Sequence, residues 1–189
     1  KNILILLILS LLFSCIYPNE QHNKKLTDES ISILTNLEDK IYINIYMNGN
    51  LSPNFQLLQN EVSKLLNIFK STSNKELDFE FVSISEDKNK STKNLYSSQK
   101  IHPIWVKNKE KFHKIYPYAT INFRDNSMPI LIHNCLFFDT IDELNKEQLK
   151  GSINNLEYNF IESLYLVQQN EKKKIAFLTG NGQLDSTKT

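Results

Sequence analysis

Apolar positions along this chain repeat with two periods, and the switches between them lay out its elements. Leu149, Ile153, Leu156, Phe160, Leu164 and Val167 recur at intervals of three and four, which puts them on one face of a helix of about five turns. Asn145, with Gln148 three residues on, is placed to cap it, although Gly151 weakens the pattern by up to about 1 kcal/mol. Phe55, Leu58, Val62, Leu65 and Phe69 give the same stripe behind Ser52 and Pro53, with the proline suited to a first helical position. A shorter helix is predicted after Thr27. Asp28 and Glu29 suit its first turn, Leu26 and Ile31 are placed as a hydrophobic staple, and Ile31, Leu34 and Leu37 form its buried stripe.

Between the helical stripes the period drops to two. Ile41 to Met47 and Leu77 to Ile84 alternate and are rich in β-branched and aromatic residues, so each reads as a strand, and Asn48, Gly49 and Asn50 turn the chain after the first. Ser85 to Lys100 is polar and predicts a loop or a short surface helix. Ile104 to Val106 and Phe112 to Tyr116 flank a KNKE turn as one hairpin, while Ala119 to Phe123 and Pro129 to Cys135 flank RDNS as a second. After the long helix, Ile175 to Thr179 reads as a strand ending in Gly180, Asn181 and Gly182. No internal repeat occurs.

This order predicts an α/β fold, a thioredoxin-like sandwich with a mixed sheet and flanking helices, over residues 26–170. Residues 171–189 then begin a second, truncated α/β domain, and the chain as a whole reads as a fragment. Within such a sandwich the Tyr116–Pro117 bond is expected to be cis, as at the proline that precedes the antiparallel strand pair of these folds, the alternative being a trans proline that simply starts a strand.

Composition narrows the function. With 189 residues, 40% hydrophobic and 11% aromatic, the chain can bury a sizeable core. Its 22 basic and 21 acidic residues, spread along the chain, leave a net charge of +1, which gives no electrostatic footprint for nucleic acid, so no nucleic-acid partner is expected. Cys15 and Cys135 stand far apart, so a CxxC redox pair is excluded by counting, and Cys135 reads as a buried thiol in an apolar strand.

Residues 1–17 carry a membrane address, ILILLILSLLFSCIY behind Lys1, and residues 18–25 form a polar spacer. Three readings stand. The segment is the end of a transmembrane helix, or Leu12, Phe13, Ser14 and Cys15 form a lipobox with Cys15 lipidated, or it is a cleaved signal. Each places the domain outside the cytoplasm.

The order of an LEY-containing helix (Leu156, Glu157, Tyr158), a basic run, the strand IAFLT and the turn Gly180, Asn181, Gly182 resembles the extracytoplasmic region of the gliding-motility-associated ABC transporter family GldG. IYINIYMNGNLSPNFQLLQNEVSKLLNIFKSTSNKELDFEFVSI resembles the family's first strand, helix and second strand, and IHPIWVKNKEKFHKIYPYATINF its hairpin before the core strands, so the likeness spans Leu26 to Leu184. It departs from the family at PNEQHNKK, where an acidic and basic DLT-type stretch is usual, and at Gln183, where the family's turn carries Glu. The resemblance implies a non-catalytic accessory subunit anchored in the inner membrane with its domain in the periplasm. Permease and ATPase subunits encoded separately are its implied partners, and its role is transport supporting gliding motility.

No chemistry competes with that reading. His133 and Cys135 would share a strand face and could approach a metal, but two ligands do not make a site. His22, His102 and His113 stand in polar or loop contexts without a motif. The glycine turn contains no Ser, so it is not a nucleophile elbow, and neither GxxxxGK[ST] nor GxGxxG occurs in the chain. Its backbone amides could cradle an anion, although a sharp exit from a sheet needs the same residues. Lys172 to Lys174 suit a solvated helix end. Catalytic, cofactor and metal residues are therefore expected to be none, and a surface lipoprotein that holds a glycan or peptide is the alternative.

Overall fold

The computed structural model of the chain describes residues 25–84, 101–108, 111–133, 140–141 and 144–169. Helix α1 (Asp28–Thr35) is followed by strand β1 (Ile41–Ile45), helix α2 (Pro53–Thr72) and strand β2 (Leu77–Phe81). Two hairpins follow, β3 (Ile104–Asn108) with β4 (Lys111–Ile115) and β5 (Tyr118–Phe123) with β6 (Asn126–Leu131). The two-residue strand β7 (Thr140–Ile141) and helix α3 (Lys146–Val167) complete the described elements.

The main sheet is mixed, in the order β2-β1-β5-β6, with β1 parallel to β2 and antiparallel to β5. Helix α2 makes the crossover that a parallel pair requires. A second sheet, β4-β3-β7, adds β7 parallel to β3. The fold is thus an α/β sandwich, a mixed sheet with flanking helices.

Alternation selects which face of the sheet is covered. Ile41, Ile43 and Ile45 of β1 lie beside Ala119 and Ile121 of β5 in the sheet, and all five are buried. Phe55, Leu58, Val62, Leu65 and Phe69 of α2 close over them, joined by Leu156, Phe160, Leu164 and Val167 of α3. These are the residues whose spacing predicts the helical stripes. Inward residues of the second sheet, Ile104, Val106 and Ile115, belong to the same core.

Local signals act where the pattern places them. Asn145 Oδ1 accepts the Gln148 N–H and Gln148 Oε1 accepts the Asn145 N–H, each at 2.9 Å, so the capping box at the start of α3 is complete. Replacing Asn145 with Ala is expected to lower stability by about 1 kcal/mol, read as a shift in the urea midpoint at unchanged slope. Thr27 caps α1 through the Ser30 N–H at 3.2 Å. Arg124 turns the β5–β6 hairpin at φ 51°, and its guanidinium meets Asp39 at 3.2 Å.

Three expectations change. The Tyr116–Pro117 bond is trans, the form that the X-Pro peptide prefers by about 0.5–1 kcal/mol. In that form the Pro117 carbonyl accepts the Ile132 N–H at 2.9 Å, so the antiparallel pairing runs on to the proline. The second hairpin turns on Arg124 and Asp125 alone, and β6 therefore begins at Asn126, ahead of the expected Pro129. Strands β1 and β2 end at Ile45 and Phe81, short of Met47 and Ile84. The apolar segment with Cys15, the polar segment 85–100, Cys135 and the GNGQ turn lie outside the described residues. Among the described residues no helix is long and apolar enough to cross a membrane.

Candidate functional site

Helices α1 and α3 border a groove of about 870 Å³, lined by Ile33 of α1 and by Tyr158, Ile161, Glu162 and Tyr165 of α3 among others. Its shape follows from the α3 sequence. Leu156, Phe160 and Leu164 hold one side of the helix in the core, and the neighbouring strip, Tyr158, Ile161, Glu162 and Tyr165, is left beside α1. Tyr158 is 64% and Tyr165 52% exposed, an unusual display of aromatic surface on a packed helix. The Glu162 carboxylate accepts the Tyr158 hydroxyl and raises that phenol above its ordinary value, with the charge of Glu29 adding to the effect.

Glu157 sits at the floor of the groove. It is 7% exposed, and its Oε1 accepts the Thr27 N–H at 2.8 Å and the Ser30 hydroxyl at 2.7 Å. A buried carboxylate is thereby satisfied at the positive end of α1, where negative charge is favoured. Glu157 stands in the LEY element, and its partner Thr27 lies 130 residues away in the sequence. The available signal is that Glu157 borders the apolar stripe, between Leu164 and Ile161 on the helix surface, both of them buried.

His133 follows β6 and is 4% exposed, lining a small hollow with Asn155, Asn159 and Ser163 of α3. Burial holds its imidazole down at a pKa of about 4. Its expected neighbour Cys135 lies outside the described residues. No group of three or more His, Cys, Asp or Glu able to hold a metal occurs among the described residues. His102 is exposed and His113 half-buried, and neither lines the hollow with His133.

The groove can therefore bind a ligand by stacking and hydrogen bonding. Carboxylates along it accept from Thr27, Ser30 and Tyr158. No curated protein and no solved structure matches the chain. The model of one family, described as a domain of unknown function (DUF7088), matches residues 21–122, more than half of the chain and its folded part from α1 into β5. The chain belongs to this DUF7088 family.

Proposed function

We propose that this protein is a non-catalytic accessory subunit of an ABC transporter complex associated with gliding motility, anchored in the inner membrane with its domain in the periplasm. Its partners in that reading are a separate permease and ATPase, and the α/β sandwich is of the thioredoxin-like kind. The order β2-β1-β5-β6, with α2 in the parallel crossover and α3 after the antiparallel pair, supports that finer description.

The observation that carries the proposal is the bond from Glu157 to the start of α1. Glu157 belongs to the LEY element on which the resemblance to the GldG family rests, and α1 is the first described element after the apolar segment and its spacer. A domain hung from an anchor transmits load through its first element. Here a carboxylate from the longest described helix fastens that element to the core.

Purification of the full-length protein, solubilised gently from its native membrane, tests the proposal by mass spectrometry of its partners and its own amino terminus. A permease and an ATPase are expected to co-purify with an unprocessed apolar segment. Their absence from a stable preparation would defeat the transporter reading. A second reading, a surface lipoprotein that holds a glycan or peptide, is favoured by the exposed Tyr158 and Tyr165 in the groove. It requires Cys15 to be lipidated, and the same amino-terminal mass distinguishes the two.

A further inference from the structure

The β3–β4 hairpin keeps strict alternation, yet its outward positions are not those of an ordinary solvated strand. Ile104, Val106 and Ile115 point into the core, while Trp105, Lys107 and Phe112 are exposed and Lys114 lies beside them. The register sets Trp105 across from Lys114 and Lys107 across from Phe112, so two aromatic rings and two ammonium groups share one face, each ring opposite a cation. Lys114 Nζ lies 4.9 Å from the centre of the Trp105 ring. From Ile104 to Tyr116 the sequence has four lysines and one glutamate, whereas the rest of the chain has more acidic than basic residues. Positive charge is thus concentrated on the element that also exposes Trp105, the chain's single tryptophan.

We propose that this face is a docking surface for an anionic lipid bilayer. Trp105 and Phe112 would enter the headgroup boundary, while Lys107 and Lys114 meet lipid phosphates. The chemistry fits on both counts: indole rings favour the membrane–water interface, and lysines near an anionic surface are each worth a factor of about five in binding. A basic and aromatic patch of this size binds an anionic bilayer weakly by itself, and a tether would strengthen it by raising its effective concentration at the surface. The proposal rests on the anchored reading above, which brings the hairpin within reach of a bilayer. That reading also favours lipid over single-stranded nucleic acid, the other polyanion that stacks on aromatic residues.

Trp105 makes the surface directly observable. The full chain is reconstituted into vesicles of phosphatidylcholine alone or with phosphatidylglycerol, and its association is followed by flotation and by tryptophan fluorescence with brominated lipids as depth quenchers. A blue shift and quenching are expected in the anionic vesicles, reversed by high salt. The ratio of docked to undocked domain should be about 30-fold lower in K107Q/K114Q, from two lysines at about fivefold each. A chain that floats with both vesicle types while Trp105 stays unshifted overturns the docking surface and leaves the anchor standing. Flotation with anionic vesicles alone defeats the anchor and supports the surface. A shift produced by single-stranded oligonucleotide and not by lipid overturns the proposal in favour of nucleic acid. The salt titration on the unaltered chain separates these outcomes even if the double variant folds poorly.

Discussion

Replacing Glu157 with Ala is expected to remove about 3 kcal/mol of stability, because two donors at the start of α1 lose a charged acceptor inside the protein. The Ser30 hydroxyl can still turn to Thr27 Oγ1 at 2.7 Å, whereas the Thr27 N–H loses the acceptor that ties it to α3. Helix α1 has only 8 residues, far below the length at which an isolated helix persists in water. It is held instead by its cap, by Leu34, and by the Glu157 contact. Loss of the carboxylate should therefore act first on α1 and then on the whole domain. Glu157→Gln, which keeps an acceptor oxygen of similar reach, is expected to cost less than half as much. Urea unfolding of both variants measures the global effect, and hydrogen exchange at the α1 amides measures the local one. Unaltered unfolding together with unaltered α1 protection in E157A would show that the contact does not hold the helix.

This effect bears on function through position. On the proposed anchored reading α1 is the first described element after the apolar segment, so its firmness would decide whether the domain follows a movement at its tether. If the Glu157 contact has that role, E157A would loosen the connection while leaving the groove residues Tyr158 and Tyr165 and the β3–β4 surface in place. Anchor and domain would then still be present, with the coupling between them weakened.

The elements of this fold were legible where one physical signal dominated. In α2 every residue of the stripe from Phe55 to Phe69 is buried, because a helix of 20 residues gives periodicity room to repeat. The Asn145 cap was legible because a capping box is a local device whose partners lie three residues apart. Strand ends were less so, since alternation in LDFEFVSI continues after the β1–β2 ladder stops at Phe81. Strand β7 left no signal, being only two residues long and set by its neighbour β3. The trans Tyr116–Pro117 bond corrects an inference made from element order, which carries no information about the peptide itself. Of the groove, the sequence shows α3 and its aromatic residues. That Ile33 and Ser30 face them depends on the return of the chain across more than a hundred residues, which no local pattern encodes.

Acid should weaken the fold through His133. In the unfolded chain its imidazole takes up a proton near pH 6.5, whereas in the folded protein burial delays protonation to about pH 4. Between these values the unfolded state binds more protons, so stability falls as pH falls across the window. The contribution is complete above pH 6.5 and is lost by about pH 4, amounting to about 3 kcal/mol if the imidazole stays dry, out of the roughly 5–15 kcal/mol usual for a domain. Glu162 lines the same hollow, and its charge would temper the loss. Two surface carboxylates act in a lower window. Asp39 is held down chiefly by the Lys40 backbone N–H and then by Arg124, and Asp78 chiefly by Lys70, so their contributions persist until pH falls below the ordinary carboxylate value of 3.8. Urea unfolding at pH 7, 5.5 and 4.5 separates the two windows, since the latter two pH values probe the histidine before the aspartates titrate. The unaltered chain should lose stability between pH 7 and 4.5, and His133→Gln should flatten that slope while lowering stability at pH 7. Equal slopes in the two proteins would mean that water reaches His133 in the native state and that its burial is not what disfavours the proton.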